Sequence, residues 1–236
     1  MKIKLLISLG SMLVLVFTVG TAAAQAQYTS GNIGVDVGYP NCSASIPNVS
    51  FGIVAVTGGL GFHPNPCLKT EAANFKNLSF YVSAGYPGKS YGLKYNGSPK
   101  SCTSSDLDCL AYDYGYNAGL YAVNYAKSSE VHSLTWWLDV ETINSWTNDP
   151  AQNQNSLQGE HAALMAAGAT TVGVYSTTDQ WDSLTGSWLN KWPSWGATTW
   201  TTAKQAATYC TGHEFTGGPS YLMQYLGSTL DHDYAC

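Results

Sequence analysis

Leu134-Thr135-Trp136-Trp137-Leu138-Asp139-Val140-Glu141-Thr142 reads as a buried strand that ends in two carboxylates. Residues two apart share a face of a strand. Trp137, Asp139 and Glu141 therefore point one way, and Trp136, Leu138 and Val140 point the other. Acids on one face at the exit of an apolar strand are costly unless they hydrogen-bond or do chemistry. Two carboxyls in different surroundings can hold different pKa values, one protonated and the other ionised. The plain alternative is a pair of solvated charges just past a strand end.

Outward from this strand the chain alternates. Before it come short apolar runs at 33–38, 51–57 and 78–84, and after it a further run at 170–176. Each is bounded by Gly, Pro or Asn. Helical spacing is expected over 69–76, 112–127, 151–167 and 179–184, with Asp149-Pro150 as cap and first residue and Gly168 as stop. The Gly/Ser/Asn-rich stretch 88–110 reads as a long loop, either functional or pinned. Past residue 185 strands are expected near 195–200, 221–226 and 230–233, with one short helix at 202–209.

Strands alternating with helices imply a parallel sheet with right-handed crossovers. About eight strands in one domain favour a closed TIM-like α/β barrel over an open doubly wound sheet. No G-x-G-x-x-G follows the first strand, so a dinucleotide fold has no support. In a parallel barrel the active site lies where strands end. Asp36, Asp139, Glu141, Tyr175 and the final acids Asp231 and Asp233 are all read as falling at such ends.

Residues 1–26 read as a cleaved secretory signal peptide, with Lys2 and Lys4, an apolar run to about Val19, and A-x-A sites at 22–24 and 24–26. This predicts a secreted, extracellular or periplasmic protein whose residues 27–236 form one domain. Six cysteines in an exported chain imply three disulfides. Of the possible pairings, Cys42–Cys67 would join the loops after two successive strands, Cys102–Cys109 would close a small loop, and Cys210–Cys236 would pin the C-terminus. No Cys or His spacing resembles a metal site, and no cofactor is expected.

The formal charge is -5, with no arginine and dispersed lysines. Nucleic-acid binding needs a basic surface and is set aside. Nor does any stretch after the leader have the length and apolarity of a bilayer span, so no integral membrane protein is expected. With 16 Tyr and 8 Trp and few charges, the composition suits a neutral, ring-shaped ligand such as a glycan, whose CH faces pack on aromatic rings. A monomer is expected.

Four ordered elements resemble glycoside hydrolase family 25, the lysozyme-type muramidases. Gly34-Val35-Asp36-Val37 resembles the family's opening strand, and Leu138-Asp139-Val140-Glu141 its central L-D-V-E. Val174-Tyr175-Ser176 is similar to a later strand end, and Gln224-Tyr225 with Asp231-His232-Asp233 to the closing segment. The chain departs from the family pattern at Thr57-Gly58-Gly59 and at Tyr81-Val82-Ser83.

The resemblance implies a barrel of five β/α units followed by three strands. It also implies a hydrolase of β-1,4-linked aminosugar polymers such as peptidoglycan. Carried over by position, Glu141 would be the general acid and Asp139 the second central carboxylate. Asp36 would orient and tune them, and either Asp231 or Asp233 would complete the cluster. Tyr86, Trp137, Tyr175 and Gln224 would be candidates for sugar contact, with core packing open for each aromatic. A glycan-binding protein on a degenerate barrel, or a glycosidase for another polysaccharide, is the alternative.

Overall fold

The structure is a computed structural model, and it describes residues 27–236. The expected leader, residues 1–26, lies outside the described residues. Eight strands close into a barrel in chain order. They are β1 (Ile33–Val37), β2 (Phe51–Ala55), β3 (Leu78–Ser83), β4 (Thr135–Asp139), β5 (Thr171–Ser176), β6 (Ser194–Ala197), β7 (Ser220–Tyr225) and β8 (His232–Ala235). Neighbours from β1 to β7 pair parallel. Strand β8 runs antiparallel to both β1 and β7.

This last strand corrects one expectation. The final acids do not lie at a strand C-terminus: Asp231 precedes β8 and Asp233 is its second residue. Because β8 is reversed, its beginning stands on the rim where the parallel strands end. The acids therefore reach the expected rim from the opposite chain direction.

Among the described residues six α-helices connect the strands: α1 (Leu68–Ala72), α2 (Lys89–Tyr95), α3 (Leu107–Ser128), α4 (Pro150–Ala166), α5 (Thr178–Thr185) and α6 (Ala203–Ala207). The stretch 88–110 is not all loop, because α2 lies within it. Helix α3 starts before the expected residue 112, where Asp106 caps it by accepting from the Cys109 amide at 3.1 Å. Helix α4 begins as expected, with the Asp149 carboxylate accepting from the Ala151 amide at 3.0 Å and Pro150 in the first turn. Gly168, at φ 102°, turns the chain away after it. All three expected disulfides are present, Cys42–Cys67, Cys102–Cys109 and Cys210–Cys236.

The two faces of each strand build two cores. Outward residues such as Val35, Val54, Val82, Trp136, Leu138 and Val174 meet the helices in the main core. Inward residues Phe51, Ile53, Trp137, Trp195 and Leu222 fill the barrel, with Tyr28, Tyr81 and Tyr175 packed against them. Two strand positions make that filling possible. A Cβ at Gly34 would overlap the Phe51 ring, and one at Gly173 would overlap the Trp137 ring. Large rings on some strands thus face bare backbone on others, which is how a small barrel reaches interior packing density.

Helices α3 and α4 pack backbone to backbone through a similar device. A Cβ at Gly115 would overlap the Ser156 carbonyl, and one at Gly159 the Tyr112 carbonyl. Neither obstruction is a flexible side chain, so relief requires moving a helix. Gly159→Ala is expected to lower unfolding stability by about 1–3 kcal/mol, read as a lower urea midpoint. An unchanged midpoint would show that the two helices separate freely.

Candidate active site

The floor of the site is the aromatic plug. The Trp137 indole donates to the Tyr28 hydroxyl at 3.0 Å, and that hydroxyl donates to Ser79 Oγ at 2.8 Å. Trp195 packs on Trp137 with ring centroids 5.9 Å apart and on Tyr175 at 4.4 Å. Above this floor the strand alternation switches from apolar to polar side chains. The next inward residues are Asp36, Ser83, Asp139 and Gln224.

Strand β4 ends at Asp139, yet the Val140 amide still bonds the Tyr175 carbonyl at 2.9 Å, so the extended path continues. A turn then begins, with the Asn144 amide bonding the Glu141 carbonyl at 3.0 Å. The Trp146 indole donates to the same carbonyl at 2.8 Å. Glu141 is thus fixed through its backbone while its side chain stands half-buried at the rim. Asp139 lies below it, 8 % exposed, and among the described residues its Oδ1 has no hydrogen-bond partner.

Burial holds the Asp139 carboxyl well above the usual carboxylate range. Glu141, whose charge and acceptor oxygens both favour a proton on Asp139, raises it further, as does the charge of Asp36. The Asp36 carboxylate accepts from Gln224 Nε2 at 2.8 Å, and Gln224 Oε1 accepts from the Tyr175 hydroxyl at 2.9 Å. Burial pushes Asp36 up to about 7 against the pull of that Gln224 bond, with Asp231 and Glu141 adding to the rise. Asp233 is wholly buried, and among the described residues neither of its oxygens makes a hydrogen bond of good geometry, although the nearby Trp195 indole favours its ionised form. Burial, then Asp36, hold it far above the ordinary value. A carboxyl so placed is a neutral acid.

The five acids expected at the site form one electrostatic group. Both of the final acids lie in this group: Asp231 raises Asp36, and Asp36 with Asp231 raises Asp233. Asp233 lies opposite Gly34 and Gln224 inside the barrel, and half-buried Asp231 lies nearer the rim. Tyr175 and Gln224 join the group directly. Trp137 and Tyr86 do not present a surface for sugar. Both are 0 % exposed, Trp137 within the plug and Tyr86 against Tyr114 at 5.5 Å between centroids. Their rings serve packing.

Tyr81 and Ser83 are site neighbours outside the expected set. They share the inward face of β3, and Ser83 pairs with Asp139 across the sheet. Alternation along 78–83 carries the signal for both. A more distant acid, Glu160 of α4, is also buried and raised, by desolvation first and Asp139 second. Among the described residues no three or more His, Cys, Asp or Glu are grouped to hold a metal ion. Among them, too, no helix is long and apolar enough to cross a membrane.

Residues 108–215 match the family model for lysozyme-like protein 1, a span that includes Asp139 and Glu141. No curated protein matches the chain. Among solved structures it is similar to GHIP, a glycosyl hydrolase 25 of Streptococcus pneumoniae, at 18 % identity and TM-score 0.51, covering 87 % of each chain. It is similar to the bacterial lysozyme of Streptomyces coelicolor at 17 % identity and TM-score 0.52, covering 88 % of this chain and 93 % of that one. A family 25 glycosyl hydrolase from Bacillus anthracis matches at 13 % identity and TM-score 0.52, over 89 % and 90 %. The resemblance read from the sequence is thereby borne out, and the chain has the barrel fold of the glycoside hydrolase family 25 lysozymes.

Proposed function

We propose that the protein is an exported glycoside hydrolase that cleaves the β-1,4 linkages of an aminosugar polymer, with peptidoglycan as its substrate. The observation that carries this reading is the pairing of Asp139 and Glu141 on one face at the end of β4, within a ring of further acids. The match of residues 108–215 to lysozyme-like protein 1 supports it. So does the autolysin LytC of Streptococcus pneumoniae, which has the same barrel and was solved with a synthetic peptidoglycan ligand. Three disulfides suit an oxidising compartment and support export.

The chemistry follows from depth and charge. Burial and the neighbouring Glu141 favour a proton on Asp139 in the free protein, and this is the proton the pair has to share. Glu141 is the more exposed partner and the one within reach of a glycosidic oxygen. When a sugar chain covers the mouth, its acetamido N–H becomes a donor to Asp139. That contact favours Asp139 ionised and moves the shared proton to Glu141. Glu141 then gives the proton to the leaving oxygen as the C1–O bond breaks, and the acetamido carbonyl oxygen bonds to C1. Water later attacks C1, reopening the ring formed by the acetamido group and returning a proton to Glu141. Asp36, held by Gln224 and Tyr175, sets the charge felt by the pair.

Glu141→Gln cannot donate the proton and is expected to lower turnover by about 10²–10⁴-fold or more while leaving the fold intact. Mass spectrometry of products from purified peptidoglycan tests this: reducing-end muropeptides should appear with the wild type and not with the variant. Sedimentation with the polymer and no fragments from either protein would instead indicate a glycan-binding role.

The acids also set a pH dependence of stability. The Asp36 pKa is about 7 in the folded protein, above its unfolded value. The folded state therefore binds more protons between those values, and stability falls as pH rises from about 4 to about 7. Asp36→Asn removes that loss. It is expected to stabilise the fold by on the order of 2–4 kcal/mol at pH 8 relative to pH 4. Urea unfolding at the two pH values measures it, and a difference independent of pH would contradict the assignment.

A further inference from the structure

Beside the mouth lies a cavity of about 230 Å³, enclosed by the turns after β2, β3 and β4, by α2 and by the face of α3. Tyr91, Lys94 and Tyr95 in its wall belong to the segment 88–110, which connects β3 to α3 and carries the Cys102–Cys109 bond. Phe62 and Tyr95 stack there with centroids 4.4 Å apart, and Tyr114 stands edge-on to both, at 5.4 and 5.6 Å. Phe62 has φ 62°, a left-handed backbone that is costly for an aromatic residue, so the loop holds this ring in place against a local penalty. Tyr91, 48 % exposed, stands at the opening.

Two polar features point to an occupant. Ser83 is buried and lines the cavity; its hydroxyl stands beside the Asp139 carboxyl, whose ionised form it favours, and among the described residues makes no hydrogen bond of good geometry. Ser83 also pairs across the sheet with Asp139, so the cavity adjoins the acid group at that residue. The second feature is the sign of the lining. It contains Lys94 and no Asp or Glu, in a protein of net charge -5, directly beside a group of five acids. Lys94 Nζ rests 5.4 Å from the Tyr95 ring centre. A cation over aromatic walls fits a ligand group that has an apolar body and ends in a carboxylate.

We propose that this cavity is a side subsite that takes a carboxylate-bearing acyl or peptidyl substituent branching from a saccharide bound across the acids. The aromatic walls cover the apolar part of the branch, Lys94 meets its carboxylate, and Ser83 hydrogen-bonds the branch where it leaves the sugar. The position of the saccharide rests on the glycosidase reading, while the cavity's preference for the branch does not.

Calorimetric titration of the full chain with two probes separates these. One probe is N-acetylglucosaminyl-N-acetylmuramyl dipeptide, and the other is the corresponding disaccharide of N-acetylglucosamine without lactyl or peptide. The branched probe is expected to bind at least about fivefold more tightly. Lys94→Glu, at an exposed position, is expected to bring the ratio below about twofold, and Lys94→Arg to retain it. Equal affinity in the wild type, no binding of either probe, or an unchanged ratio in Lys94→Glu would each overturn the proposal. A preference for the branched probe in a protein that releases no fragments from peptidoglycan would keep this subsite and remove the glycosidase reading.

Discussion

Carboxyl groups held where water barely reaches them are the constraint on which the mouth of this barrel depends. Burial favours the neutral form of an acid, and each neighbouring charge favours it further. Asp36, Asp139 and Asp233 all feel both effects. Such a group is tolerable only on a rigid support that prevents the acids from separating into solvent. The rings of Phe51, Trp137 and Trp195 supply the support from below. The Tyr28 hydroxyl, bonded to both Trp137 and Ser79, ties the bottom of the plug to β3 and β4.

The polar partners are few and specific. Among the described residues Gln224 makes the one side-chain bond to Asp36, and Gln224 is itself oriented by the Tyr175 hydroxyl. That phenol stays un-ionised because it too is buried, with Asp36 the next contributor. The result is a directional chain, Tyr175 to Gln224 to Asp36, spanning β5, β7 and β1. It fixes one acid while leaving Asp139 Oδ1 without a partner. The unpaired oxygen is the one free to respond to whatever covers the mouth.

Much of this was legible in the sequence because alternation along a strand reports which face a residue takes. Asp139 and Glu141 could be separated from Leu138 and Val140 on that basis alone, and so could Asp36 from Val35 and Val37. Alternation does not report height along the barrel axis. Trp137 shares the face of Asp139 but sits one layer lower, so it packs in the plug and meets no ligand. Tyr86 was hidden for a related reason: the α3 helix that covers it is distant in sequence. Helix α2 was missed because its seven residues, with Leu93 as the one aliphatic side chain and Gly92 in the middle, have no apolar periodicity to read. The reversal of β8 follows from the connection that precedes it, and residue types within the strand carry no sign of direction.

The antiparallel closing strand has a consequence for how the protein comes into being. Strand β8 is the seam of the barrel, joined to β1 on one side and β7 on the other. It also brings Asp233 to Asp36, residues from opposite ends of the described chain. Contacts this distant along the chain form late and slowly, because long loops must close first. Until the seam closes, Asp36 lacks its buried neighbour and the acid group does not exist as a unit. Assembly of the acids therefore requires the whole barrel to close, and the Cys210–Cys236 bond, which ties the segment after α6 to the end of β8, holds that seam in register. Chemistry at the mouth is in that sense a report that the whole chain has found its place.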